Sequence, residues 1–407
     1  MIAPGAWLGM LGGGQLGRLF TIAAQSLGYR VMVLDPDVDS PAGRSADQHL
    51  CAGFDDREAL ALMAAKCAAV TTEFEGVPAA SLECLAATCR VAPSAACVAV
   101  AQDRIAEKQL LSKVVGVVPY AEIRCDDDIA RAPVALFPGI LKTARMGYDG
   151  RGQARVADVA AARAAFAQLG GVACVLEQCV ELVRELSVVL ARDARGNVAS
   201  YAVAENRHVN GILELSIVPA RVSSQSARDA VAAAVAVAGA LQYTGVMCLE
   251  LFELADGRLV ANEMAPRPHN SGHWTLDAAA TSQFEQQVRV TAGLPLGDTR
   301  QRAPAVMVNL LGDAWQSGAP DFSTLLSDSG ARLWLYSKAQ ARPGRKMGHF
   351  TCVDSDVDAA LARAQSLRDR MTPPGRNAEA SAAGSAHLAY LQPPWLTGGG
   401  EKAQWTR

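Results

Sequence analysis

Apolar residues over Trp7–Leu11 run unbroken into a glycine-rich stretch at 12–17, then recur at helical spacing through Gln15–Ser26 until Gly28 stops them. A second apolar run, Arg30–Leu34, ends at Asp35, and the whole pattern predicts a βαβ unit. A further strand over 67–72 leads into Glu73, Phe74 and Glu75, a helix follows Pro78, and Val91 before Pro93 closes the sheet. The first hundred residues therefore predict a small parallel α/β domain. From Asp103 to Leu111 the periodicity is helical, and short strands and helices alternate to about residue 190. A hairpin is expected over 184–204 across 193–197, then an alanine-rich helix over 227–241, then strands at 246–253 and 258–264 around Asp256 and Gly257. Past residue 300 come short strands, including 332–336, and a last helix near 357–368. Beyond Met371 the chain turns to proline, glycine, alanine and serine with scattered aromatics, and disorder is expected there. No internal repeat stands out.

The chain has 407 residues, half of them apolar, with 38 Lys and Arg against 41 Asp and Glu and a formal charge of −3. Such a length suggests two to four domains with ample core and no need of disulfide staples. Basic residues are scattered rather than blocked, so no nucleic-acid partner is expected. The longest apolar run, residues 230–241, is well short of the roughly 20 residues a membrane helix needs, and the opening residues lack a basic secretory signal. No membrane partner and a cytoplasmic location are expected. The ten cysteines form no C-x-x-C pair and read as small core residues. Arginines number 31 and lysines 7, so the lysines retained at Lys108, Lys142, Lys338 and Lys346 mark places where a compact ammonium is wanted.

Gly12, Gly13, Gly14, Gln15, Leu16 and Gly17 fit G-x-G-x-x-G between a strand and a helix, with Asp35 where a ribose-binding acid would sit. The motif supplies backbone N–H groups at a helix N-terminus, which suit any phosphate. A dinucleotide, another phosphate or phosphosugar, and a structural turn stay open, and NAD is not specified. After the apolar run 137–141, Lys142 precedes a loop with Arg145, three glycines and Arg151 that can fold over a triphosphate, the alternative being a solvated surface loop.

The sharpest geometric expectation concerns Glu250 and Glu263. If Asp256 and Gly257 are the two-residue loop of a hairpin, Ala255 pairs with Arg258, and counting outward sets Glu250 directly opposite Glu263, roughly 5 Å apart at Cβ. Two such carboxylates in apolar strands repel unless protonated or bridged by a cation, and Mg2+ is the economical ion. The alternative is a carboxylate pair at an exposed rim, and a three-residue loop would break the register. Residues 265–274 gather Arg267, His269, Asn270 and His273 in a proline-flanked stretch suited to an anionic substrate; zinc is disfavoured because no H-E-x-x-H occurs. Lys338, Arg342, Arg345 and Lys346 concentrate positive charge in a turn-rich stretch that alone reads as solvated surface.

Taken in order, these segments resemble the ATP-grasp superfamily and, within it, the family of 5-(carboxyamino)imidazole ribonucleotide synthases of purine biosynthesis, over about residues 7–370. The resemblance implies an α/β and α+β architecture, the ATP-grasp fold, with ATP held between two α+β subdomains. An N-terminal Rossmann-like parallel α/β domain would occupy 1–102 and the ATP-grasp domain 103–300, with a small lid at about 118–185. A small C-terminal domain would occupy 301–371, and the tail 372–407 lies outside the resemblance. ATP and Mg2+ are the implied cofactors. Arg104 and Lys142 would contact phosphates, and Gly147, Tyr148, Asp149, Gly150, Arg151, Gly152 and Gln153 would form the loop over the γ-phosphate. Glu177, Gln178, Cys179 and Val180 would meet adenine, with Glu185 on the ribose and His208 nearby. Glu250 and Glu263 would hold the metal, with Asn262 close by. Gly14, Gln15, Leu16, Glu73, Tyr148, Arg151, Lys338 and Arg345 would bind the ribonucleotide. Arg267, His269 and Asn270, with Asp149 and Arg151, would face bicarbonate and the reacting centre.

The implied activity is ATP-dependent carboxylation of 5-aminoimidazole ribonucleotide by bicarbonate through carboxyphosphate, in a homodimer. A related ligase that uses formate to build glycinamide ribonucleotide products, or a biotin carboxylase, shares the nucleotide machinery and is the competing reading. The chain departs from many superfamily members in reading Glu263, Met264, Ala265 where they have Glu-x-Asn, so no third protein ligand to the metal is expected there.

Overall fold

The computed structural model describes residues 1–145, 147, 152–316 and 318–371, and three sheets organise them. Tyr148, Asp149, Gly150 and Arg151 of the expected phosphate loop lie outside the described residues, as does the tail from 372. The first hundred residues form the parallel sheet that the apolar runs predict. Strands β1 (Trp7–Leu11), β2 (Arg30–Leu34), β3 (Gln48–Leu50), β4 (Ala69–Thr72) and β5 (Arg90–Val91) stand in the order β3-β2-β1-β4-β5. Both faces are covered, one by the helices Arg57–Lys66 and Ala79–Ala86, the other by Gln15–Ser26 and Gln283–Ala292. That double cover is why these strands read as continuous apolar runs rather than alternating ones. Because β2 and β4 flank β1 on opposite sides, the connections leaving β1 and β4 diverge and open a crevice at the carboxyl ends of the strands.

A small antiparallel sheet follows, with β6 (Tyr120–Ile123), β7 (Gly139–Thr143), β8 (Gln153–Val156) and β9 (Cys174–Gln178) in the order β6-β9-β7-β8. Ile123, Leu141, Val156 and Leu176 bury one face against Phe166 and Ala162 of the helix Val159–Gln168.

The largest sheet has nine strands among the described residues: β10 (Leu182–Arg192), β11 (Val198–Ser200), β12 (Ala204–Val209), β13 (Ile212–Val218), β14 (Gly245–Leu254), β15 (Leu259–Ala265), β16 (Ala305–Leu311), β17 (Ala331–Leu335) and β18 (Lys346–Val353). Their order is β15-β14-β10-β12-β13-β16-β18-β17, with β11 on β10. The strands beyond residue 300 therefore continue the central sheet through the β13 to β16 pairing, Leu215 opposite Val308. Along β10 the period is two. Leu186, Val188 and Leu190 pack on the alanine-rich helix Ser224–Ala240, whose Ala230, Ala234 and Ala238 let its backbone lie close, while Val189 and Ala191 face Trp274 and Ala278.

The hairpin that carries Glu250 and Glu263 corrects one step of the sequence argument. Its loop has three residues, not two: Leu254 N–H donates to Arg258 O, and Gly257 closes the turn at φ 82. Near the loop Leu251 pairs with Ala261, whereas further out Leu249 pairs with Met264. One extra residue in β15 takes up the difference, a β-bulge that sets Asn262 and Glu263 together against Glu250. The direct pairing expected from a two-residue loop is thus replaced by a bulge, which still leaves the two carboxylates close enough to act on each other.

β15 is also an edge strand, and its outward groups are covered. Ala261 N–H donates to Gly116 O at 2.7 Å. The helix Arg104–Leu111, capped by Asp103, turns Arg104, Glu107 and Lys108 toward the bulge. Glu107 Oε1 accepts from Met264 N at 2.5 Å, and Lys108 Nζ donates to Asn262 O at 2.8 Å. None of the ten cysteines is bridged; Cys67, Cys97, Cys174, Cys248 and Cys352 are buried as expected, but Cys51, Cys84 and Cys125 are exposed.

Candidate active site

The site is built from three groups of side chains. The first surrounds the glycine turn after β1. Gly13 N–H donates to Asp35 Oδ2 at 2.7 Å, and Gly14 and Gly17 N–H donate to Glu73 Oε1 and Oε2, each at 2.6 Å. The amides that a dinucleotide or phosphate would need are thus held by the protein's own carboxylates, and Asp35 is engaged with the turn rather than presented to a ribose. Gly12 adopts φ 108, and a Cβ there would fall 2.3 Å from Glu73 Cγ, so only glycine lets Glu73 approach. Burial raises the Glu73 carboxyl above its ordinary value. Lys338 Nζ reaches across to Gln15 Oε1 at 2.7 Å and to Lys346 O, so the basic C-terminal stretch meets this turn instead of lying free in solvent. Leu16 is buried in the turn's first helical residues, and Arg345 bonds Gln340 O on the rim of the same C-terminal stretch.

The second group faces the small sheet. Lys142 Nζ on β7 donates to Glu177 Oε2 on β9 at 2.7 Å, and the fully buried Lys108 Nζ stands 3.1 Å from Glu177 Oε1. Burial would raise the Glu177 carboxyl, but the two ammoniums outweigh it and hold it at about 2. The side chain of Glu177 is therefore engaged with two lysines rather than turned to a base. Of the remaining residues expected near adenine, Gln178 N–H donates to Pro119 O and Cys179 N–H to Pro138 O. Gln178, Cys179 and Val180 line a cleft of about 310 Å³ against the hairpin loop at Leu254, Ala255 and Asp256. Glu185 on β10 is bonded to His208 Nδ1 on β12; burial lowers the imidazole's basicity, and Glu185 more than reverses that. Of the phosphate loop, Gly152 O accepts from Thr143 N–H at φ 69, Gln153 pairs with Lys142, and Gly147 is the one other described member.

The third group is the acidic hairpin and the stretch after it. Burial, then the neighbouring Glu263, pushes the Glu250 carboxyl up to about 7. Glu263, which lies 3.1 Å from Arg104 Nη1, is driven the other way: burial would raise it and Arg104 more than offsets that. Asn262 Nδ2 reaches Glu250 Oε2 at 3.5 Å, and its buried Oδ1 has no partner among the described residues. His269 Nε2 is 3.2 Å from Glu250 Oε1, and burial followed by Arg267 holds this imidazole well below its ordinary pKa, hence neutral. Arg267 grips Glu75 with two bonds, Nε to Oε2 at 2.6 Å and Nη2 to Oε1 at 3.2 Å, and that guanidinium overrides burial to hold Glu75 at about 2. Asn270 is buried with neither amide atom bonded among the described residues. In this group the buried polar atoms left without a partner among the described residues are Asn262 Oδ1 and both amide atoms of Asn270.

Residues 6–102 match the ribonucleotide synthetase preATP-grasp domain, 109–284 the ATP-grasp domain, and 305–363 the phosphoribosylaminoimidazole carboxylase C-terminal domain. The N5-carboxyaminoimidazole ribonucleotide synthase of Brucella melitensis is 45% identical over 354 residues, 86% of this chain and 97% of that protein. The chain belongs to the N5-carboxyaminoimidazole ribonucleotide synthase family. The solved structures agree. A crystal structure of an N5-carboxyaminoimidazole ribonucleotide synthetase in complex with ADP superposes with a TM-score of 0.85 at 37% identity, covering 91% of this chain and 99% of that one. An Aspergillus clavatus N5-carboxyaminoimidazole synthase, crystallised with ADP and 5-aminoimidazole ribonucleotide, gives 0.81 at 32% identity over 90% and 98%. The α/β and α+β ATP-grasp fold with a preATP-grasp domain in front is thus the fold of this chain.

Sequence reasoning passed over Glu75, Glu107 and the serines and asparagine behind His269. Glu107 had a signal: Arg104, Glu107 and Lys108 fall at i, i+3 and i+4, a charged face on a helix that should bury it. Glu75 had none, since its partner Arg267 is 192 positions away.

Proposed function

We propose that this chain carboxylates 5-aminoimidazole ribonucleotide with bicarbonate at the expense of ATP, giving N5-carboxyaminoimidazole ribonucleotide, ADP and phosphate in de novo purine synthesis. The observation that carries the reading is the position of Glu250 and Glu263, with Arg104 beside Glu263, and His269 and Asn262 against Glu250. The names of the relatives support the substrate assignment.

The donor set fits a hard divalent ion: two neighbouring carboxylates, one of them pushed up by burial and by the other's charge, and an amide oxygen on Asn262 with no partner among the described residues. No cluster of three or more His, Cys, Asp or Glu ligands exists among the described residues, so Glu250 and Glu263 would be the protein carboxylates holding Mg2+. When bound, the ion supplies charge neutralisation at the β- and γ-phosphates. Lys142, held rigid by Glu177, and Arg104 would carry the remaining phosphate charge, with the loop 147–153 closing over it. Arg267, fixed by Glu75, would orient bicarbonate for attack on the γ-phosphorus, and His269 and Asn270 would hold the oxygens of carboxyphosphate. Closure has to exclude water, since carboxyphosphate hydrolyses readily. The amine of the ribonucleotide would come from the side of Glu73, Gln15 and Lys338, with Asp149 and Arg151 completing the centre.

No helix of the described residues is long and apolar enough to cross a membrane, which is compatible with the cytoplasmic location we infer; the homodimer rests on the family resemblance. ADP release measured with bicarbonate and ribonucleotide omitted in turn tests the function. Full rate is expected only with both. Equal rate with formate in place of bicarbonate would overturn the assignment.

A further inference from the structure

Behind His269 a buried file of polar side chains crosses the central sheet. Ser216 Oγ on β13 donates to Asn206 Oδ1 on β12 at 2.8 Å, Asn206 Nδ2 donates to Ser187 Oγ on β10 at 2.9 Å, and Ser187 Oγ donates to Ser271 Oγ at 2.7 Å. Ser271 Oγ then stands 2.8 Å from His269 Nδ1, whose other nitrogen faces Glu250. The three serines are at most 1% exposed and Asn206 7%. Buried hydroxyls and amides among apolar strands destabilise unless bonded, so a continuous file of them is a feature to be explained.

The file has a direction. An amide nitrogen only donates and an amide oxygen only accepts, so Asn206 sets the sense of every bond beyond it. Ser187 receives from Asn206 and passes its own proton on to Ser271, which leaves the Ser271 proton for His269 Nδ1. A second donor agrees: the backbone N–H of Ser271, which cannot accept, also points at His269 Nδ1, at 3.4 Å. Nδ1 therefore presents a lone pair to both donors, and the single ring proton sits on Nε2, aimed at Glu250 and the reacting centre.

We propose that Ser216, Asn206, Ser187 and Ser271 are positioning residues that lock His269 in its Nε2–H tautomer. His269 then serves as a hydrogen-bond donor to an anionic oxygen and cannot act as a base through Nε2, which has no lone pair to offer. The role of His269 in carboxylation rests on the function proposed above; the tautomer rests on the geometry alone.

Asn206→Asp places an acceptor on both sides of that position, so Ser187 and Ser271 must each donate backward and His269 Nδ1 becomes the donor. Nitrogen-15 spectra of histidine-labelled full-length protein read the tautomer directly, with His269 identified among the six histidines by its loss in His269→Gln. We expect protonation on Nε2 in the unaltered protein and a shift to Nδ1 in Asn206→Asp. In that variant kcat should fall about tenfold, with KM for ATP within about twofold, the size of one lost oriented hydrogen bond. Should a buried carboxylate prevent folding, Ser216→Ala removes only the outermost donor: mixed tautomers and a fall of about threefold are expected, reversed in Ser216→Thr. A proton on Nδ1, or on both nitrogens, in the unaltered protein would overturn the proposal, as would folded variants with an unchanged tautomer. These spectra need no substrate, so their failure leaves the ADP-release result standing. An ADP release indifferent to bicarbonate would remove the synthase reading and leave the tautomer untouched.

Discussion

The glycine turn at 12–17 and the bulged hairpin at Glu250 and Glu263 look equally like ligand sites in the sequence, and the structure treats them in opposite ways. In the turn, the exposed donors of a helix N-terminus are met from within by Asp35 and Glu73 at 2.6 to 2.7 Å. In the hairpin, two carboxylates share a small space, one pushed up to about 7, beside an amide oxygen with no partner among the described residues. A motif whose hydrogen-bonding capacity is already filled is scaffold, and one whose charge is left unbalanced awaits a ligand. In the G-x-G-x-x-G turn the amides of Gly14 and Gly17 are thus turned to Glu73, which they hold at the crevice.

The largest effect expected from this contrast is on the unbalanced side. Glu263→Gln should cut turnover about a hundredfold or more while the melting temperature moves by no more than about 2 °C. Near-normal ATP hydrolysis in that variant would dismiss the hairpin as a metal site. On the balanced side the effect should fall on the fold. Gly12→Ala brings a Cβ to 2.3 Å from Glu73 Cγ at φ 108, and a loss of roughly 3 kcal/mol in denaturant unfolding is expected.

The third test uses pH. The carboxyl of Glu250 has its folded pKa raised from 4.5 to about 7, so the folded protein binds that proton more tightly than the unfolded chain. Its contribution to stability is complete below about pH 4.5 and is lost as pH rises through about 7. In magnesium-free buffer the melting temperature of the unaltered protein relative to Glu250→Gln should therefore fall between pH 5 and 7.5, a comparison that cancels the opposite slope of His269, His273 and His349, which burial holds below the ordinary imidazole value; added Mg2+ should recover more at pH 7.5 than at pH 5. Glu107, raised by burial to about 8, adds a slope of the same sign in both proteins and so drops out of the comparison. An unchanged slope in that variant would show that Glu250 is not the responsible group. The smallest effect is reserved for Gly257→Ala. Its φ of 82 disfavours alanine, but a Cβ there meets nothing within 4 Å, so about 1 kcal/mol of stability should go and turnover should stay. A large loss of turnover would mean that the loop, rather than the bulge and the helix Arg104–Leu111, holds the two carboxylates in place.

Much of this was legible beforehand. The apolar runs located β1, β2, β4, β10 and β14, because a strand covered on both faces or packed under an alanine-rich helix has to be apolar, and burial writes that requirement into local sequence. The loop was counted one residue short, so a bulge at Asn262 and Glu263, rather than the expected direct pairing, brings Glu263 to Glu250. Ser187, Asn206 and Ser216 left only a faint trace, single polar residues interrupting the buried faces of β10, β12 and β13.

The sequence by itself determined which segments become strands and helices, where glycine is obligatory, and which acids and bases crowd into the stretch from Glu250 to His269, because backbone preference and burial period act over a few residues. Only the tertiary structure decided that Glu73 fills the glycine turn, that Glu75 fixes Arg267, and that a file from Ser216 to Ser271 orients His269. Each of these is a competition for one hydrogen bond between groups dozens or hundreds of positions apart, and such a competition is settled by distance and angle in the folded chain, where local composition has no say.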